Sequence, residues 1–123
     1  MIEERISKLN AYFDREIALC QQRNKELLAD ERIDEADFEK IRANVYDIFR
    51  TILSVTVKTA NNDPDKLKQT FALKTEQIPS NWIIAYEKAK QHDDTVKMRI
   101  EQIKLDTIRE IKETFTQIWE GEE

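Results

Sequence analysis

The chain has 123 residues with a formal net charge of −5; charged residues make up 37% and hydrophobic ones 40%. That length holds one domain with a core of its own, and the acidic balance goes against a broad basic surface for nucleic acid. One glycine and two prolines leave few sharp turns, one cysteine forbids an intrachain disulfide, and no apolar run reaches the roughly 20 residues needed to span a bilayer.

Residues 2–30 read as one long helix. Ile2, Ile6, Leu9, Phe13, Ile17, Cys20, Asn24 and Leu27 recur at alternating steps of three and four, the signature of one helical face. Met1-Ile2 leads directly into charged residues, so a signal peptide is not expected here. Glu4 and Lys8 stand in the favourable order for an ion pair one turn apart. Asn24 interrupts the apolar seam and is expected near a wet helix end, although such an Asn can also fix register in a coiled coil. Cys20 is expected as a small core residue, since Arg23 is offset by Glu16 and nothing else nearby would activate a thiolate.

After a short polar connection comes the most apolar stretch, Ile33–Ala60. Asp34 is expected as its N-cap, with Ile33 and Phe38 forming a hydrophobic staple. Phe38, Ile41, Val45, Ile48, Ile52, Val55 and Thr59 form one stripe, and Tyr46, Phe49, Leu53 and Val57 a second. Together they cover roughly 200° of the helix, wider than a surface helix needs, so this helix is expected at the centre of a bundle. The β-branched run Thr51–Thr59 also alternates like a strand. A lone strand would have no pairing partner, and helix is the better reading.

Asn61-Asn62-Asp63-Pro64 is the clearest break. Asp63 suits an N-cap and Pro64 the first helical position. The third helix carries Leu67, Phe71 and Leu73 and is expected to end near Gln77, with Pro79 holding Ile78 extended. Ser80 then caps a short fourth helix with Trp82, Ile83, Ala85, Tyr86 and Ala89. The two together equal one arm, bent at Pro79. His92-Asp93-Asp94 interrupts, with Asp93 or Asp94 capping the next helix.

The last helix, about Thr95 to Glu120, has a main stripe of Val96, Ile100, Ile103, Thr107, Ile111, Thr114 and Ile118. Gly121 supplies a stop. The whole chain, residues 1–123, is therefore expected as a single all-α domain: an antiparallel up-down-up-down bundle of four arms, the third split at Pro79.

The residues offer no catalytic, cofactor-binding or metal-binding set, and the balance goes against an enzyme. Inward Glu-x-x-His pairs are missing, because Ala89 stands three residues before the sole histidine, His92. Glu110 with Glu113, and Glu31 with Asp34, have the acidic spacing used for magnesium in helical nucleotide pyrophosphatases. The first pair is expected to face solvent near the chain's end, and the second straddles a loop. Phosphate loops need glycines the chain lacks, and the helix after Pro79 has no basic face for DNA.

What remains is a second apolar stripe on the last helix: Met98, Leu105, Ile108, Phe115 and Trp119, interrupted by Lys97, Glu101, Lys104 and Lys112. Interleaved charges suggest a partly exposed rim. The expectation is a cytoplasmic helical bundle that acts through protein–protein contact, self-association being one form, with Met98, Leu105, Phe115 and Trp119 as the contact surface. The bland alternative is that the bent third arm covers this stripe. The rival functions are a nucleotide- or metal-dependent enzyme or small-ligand binder with a pocket between helices, and a regulatory nucleic-acid-binding protein.

Overall fold

In the computed structural model, which describes residues 2–121, five helices follow in order: α1 (Ile2–Ala29), α2 (Ile33–Ala60), α3 (Pro64–Gln77), α4 (Ser80–Gln91) and α5 (Thr95–Glu120). There is no strand among the described residues, and Thr51–Thr59 is helical throughout. Its threonines settle into the helix by turning their hydroxyls inward: Thr56 Oγ1 donates to the Ile52 carbonyl at 2.7 Å, and Thr59 Oγ1 to that of Thr56 at 3.2 Å. No described helix is long and apolar enough to cross a membrane.

The arms run up, down, up and down, with α3 and α4 sharing the third. The bundle is not square. α2 packs on α1, α3 and α5, and α4 packs on α5. α2 and α5, which point the same way, thus occupy the short diagonal. Cross-links along the length fix this register. Arg50 reaches Asp14 at 2.7 Å, and Lys68 reaches Glu120 at 2.8 Å. The Asn24 amide donates to the Ala36 carbonyl at 2.8 Å. Asn24 is therefore a tie between α1 and α2 near their turn, not a frayed end. Glu4 and Lys8 pair at 3.5 Å as their spacing requires.

The core is aromatic and continuous. Tyr12, Phe13, Tyr46, Phe49, Phe71, Phe115 and Trp119 are all buried. Phe71 meets Phe49 edge-on with ring centres 6.3 Å apart, and meets Phe115 at 4.5 Å. Phe115 in turn stacks on Trp119 at 5.4 Å. Such contacts add about 0.5–1.5 kcal/mol each beyond the area they bury. On α2 the deep stripe is Tyr46, Phe49 and Leu53, continued by Thr56 and Ala60. The other stripe is shallower: Ile41 and Ile48 are half-buried and Val55 is exposed.

Several helix ends differ from expectation. The N-cap of α2 is Arg32, whose side chain makes no cap bond, and Asp34 lies inside the first turn. The guanidinium of Arg32 instead grips Glu35. Ile33 is 60% exposed and forms no staple. Ile78 is not extended; it keeps helical angles, φ −65° and ψ −44°, and its N–H donates to the Lys74 carbonyl. Pro79 is also in the helical region and buried. The bend therefore comes from the N–H that Pro79 lacks, which leaves the Thr75 carbonyl without its helical donor. Ser80 does not cap α4; its hydroxyl donates backward to the Gln77 carbonyl at 2.6 Å.

Other ends are as read. Asp63 Oδ1 accepts from the N–H groups of Asp65 and Lys66, with Pro64 at the first position. Asn61 closes α2 in the left-handed region, which Asn tolerates better than other side chains. Asp94 caps α5 through the Lys97 N–H at 3.1 Å. Gly121 ends α5 with an extended backbone, where a Cβ would strike the Gln117 carbonyl.

Candidate functional site

The four residues expected as an outer surface, Met98, Leu105, Phe115 and Trp119, do not share one. Phe115 is 5% and Trp119 4% exposed, in the core cluster with Phe71. Arg5 from α1 closes over the Trp119 ring at 5.1 Å. The short α2–α5 diagonal draws this side of α5 inward, and α3 covers it. Met98 and Leu105 are half-buried. The charges that seemed to mark an outer rim are also engaged. Glu101 is buried and pairs with Lys104 at 3.3 Å, and the Lys104 ammonium lies over Trp82 at 5.8 Å. Lys112 pairs with Glu76 of α3.

The polar centre of the bundle went unread in the sequence. Glu110 does not simply face solvent: its Oε1 accepts from the Tyr46 hydroxyl at 2.7 Å and from the Tyr12 hydroxyl at 3.2 Å. Arg42 stands 4.0 Å from its other oxygen and 3.6 Å from Glu39. Arg23 is 3.8 Å from Glu39 Oε1, a buried atom with no hydrogen-bond partner. Burial, then the Glu110 charge, pushes the Tyr12 hydroxyl up to about 12. Burial and the bond to Glu110 raise Tyr46 as well.

Cys20 sits beside this network, and burial pushes its thiol up to about 11 despite Arg42. A thiol so raised is protonated near neutrality and a poor nucleophile. The tyrosines are equally unsuited to proton transfer near pH 7. This network ties α1, α2 and α5 together; its geometry suits structure rather than turnover. His92 ends α4 and Asp93 takes a positive φ of 54°, so that trio forms a turn. Among the described residues, no three His, Cys, Asp or Glu side chains are grouped to hold a metal ion.

Two openings remain beside α2. The larger, about 960 Å³, runs between α1 and α2. Its walls are mainly polar, and Asp47 and Arg50 are already paired there at 2.7 Å. The other, about 610 Å³, lies where α4 departs from α2. Its floor is apolar: Phe38 and Ile41 from α2, Tyr86 from α4, and Val96, Met98 and Ile100 from α5. Arg99 lies over the Phe38 ring at 5.4 Å, and Asp34 and Asp37 stand on the α2 wall. Val96 is 66% exposed at the mouth. Of the four expected contact residues, only Met98 lines this cleft. A cleft with an apolar floor and few charges can hold apolar side chains from outside. It brings together no nucleophile and base.

The signal for it was present in the sequence as excess: α2 carries more apolar surface than three neighbours cover. The bend at Pro79 was legible too, but not its direction, which sends α4 onto α5 and uncovers Phe38 and Ile41. No family model, no curated protein and no solved structure matches this chain.

Proposed function

We propose that this chain is a cytoplasmic protein-docking bundle that receives a helical segment in the cleft between α2 and the α4–α5 pair. The observation that carries this reading is the pairing of an apolar floor with an open mouth. Phe38, Ile41, Met98 and Ile100 stand beside Val96, which a self-sufficient bundle would have no reason to leave 66% exposed. Contiguous exposed apolar surface of this kind marks interaction sites more often than scattered single residues do. A flexible Met and a Phe at the floor are residue types enriched at interfaces. The run of α2 and α5 that borders the cleft is about two turns on each wall, roughly 12 Å. It fits two or three anchors of an amphipathic helix at i, i+3 and i+7. The single buried thiol is in keeping with a reducing compartment.

The test is selection from a displayed library of randomised amphipathic helices, with the Val96→Asp protein as counter-target. Enriched helices that bind the natural chain and fail on Val96→Asp support the proposal. Recovery of none, or only of helices indifferent to Val96→Asp, contradicts it.

A further inference from the structure

Charge around the cleft narrows what can fill it, and the narrowing rests on the docking reading above. Asp34 and Asp37 line the α2 wall, while Glu31 and Glu35 flank it in sequence. Asp34 has no ion-pair partner among the described residues, and Asp37 reaches only Lys40, at 4.0 Å. Glu35 is held by Arg32. The one cation lining the cleft is Arg99, already placed over the Phe38 ring. The positive end of the α2 dipole amounts to about half a charge, less than the two carboxylates that stand on it. An incoming helix thus meets an apolar floor with an under-neutralised acidic edge.

We infer that the occupant is a cationic amphipathic helix of another polypeptide, its apolar side on Phe38, Ile41 and Val96 and its lysines or arginines against Asp34 and Asp37. A second copy of this chain is a poorer fit. A two-fold axis through the cleft would set the acidic edges near each other, and like charges across an interface are unfavourable. An acidic helix meets the same repulsion. Because these carboxylates are exposed, their contribution is to selectivity and association rate and is screened by salt.

The experiment uses three synthetic amphipathic helices with one shared leucine face and a polar face of lysine, glutamine or glutamate, titrated into the full chain by fluorescence anisotropy. The lysine helix is expected to bind about tenfold or more tighter than the glutamate helix at low salt, with glutamine between them. In Asp34→Asn/Asp37→Asn that spread should shrink to about threefold or less. In Val96→Asp the glutamine helix should weaken about tenfold. Equal binding of all three helices, lost together in Val96→Asp, overturns the cationic occupant and leaves the docking cleft standing. No binding by any helix overturns both. Lysine-helix binding that ignores Val96→Asp is surface charge attraction and overturns the inference. Sedimentation showing a dimer that Val96→Asp dissociates would make a second copy the occupant and overturn it as well.

Discussion

The hydroxyl of Tyr46 donates to Oε1 of Glu110 at 2.7 Å, joining the central helix to the last one across the short diagonal of the bundle. Tyr12 donates to the same oxygen from α1 at 3.2 Å. One carboxylate oxygen thereby holds three arms in register. A hydrogen bond to a charged group contributes about 1.5–3 kcal/mol, reduced here because Glu110 keeps access to water. Tyr46→Phe should cost about 1–2 kcal/mol in urea unfolding. Tyr46→Ala should cost about 3–5 kcal/mol by opening a cavity. A Tyr46→Phe effect below about 0.3 kcal/mol would show that water replaces the bond at no loss.

The same burial sets a high-pH limit. Tyr12, with an ordinary value of 10.0, is raised to about 12, and Cys20, with an ordinary value of 9.0, to about 11. Both are neutral when protonated, so the folded chain holds these protons more tightly than the unfolded chain does. The stability linked to them is fully present below pH 9 and is lost as pH rises through about 11 to 12. Melting temperature should be level from pH 7 to about 9 and then fall, with a shallower fall in Tyr12→Phe between pH 10 and 12. A decline complete by pH 9 would contradict this origin.

Cys20 is 1% exposed, and its raised thiol should resist a disulfide reagent at pH 8. Labelling should follow the rate of opening of the bundle rather than the reagent concentration, and urea near the unfolding midpoint should speed it by orders of magnitude. Immediate stoichiometric labelling of the native chain would place the thiol within reach of solvent.

Along α5 the apolar residues divide between core and cleft. Phe115→Ala and Trp119→Ala should each cost about 3–5 kcal/mol, since both belong to the aromatic chain that begins at Phe49. Val96→Ala should change stability by less than about 0.5 kcal/mol. Chemical denaturation of the three variants separates the roles. A comparable loss at Val96 would make it a packing residue.

These residues also show where the sequence was informative. Periodicity identified five helices, the bend near Pro79 and the Asp63 and Asp94 caps, because those depend on neighbours a few positions apart. It could not rank the two stripes of α2 or the two of α5. Which stripe goes inside depends on whether α2 and α5 touch across the bundle, a contact between residues about sixty positions apart. Tyr46–Glu110 is such a pair, and no local pattern announces it. Phe115 and Trp119 moved inward for the same reason, while Phe38 and Ile41 stayed uncovered. Ile78 kept helical angles because its N–H could still reach Lys74, which outweighed the local preference imposed by Pro79.

The central claim, that the cleft beneath α4 receives a helix, is tested most directly by mapping backbone amide shifts while the glutamine-faced helix is titrated. The account predicts that perturbations gather at residues 34–41 and 95–102, with Tyr86 beside them, and disappear in Val96→Asp. Shifts confined to the polar groove between α1 and α2, or spread evenly over the chain, would contradict it.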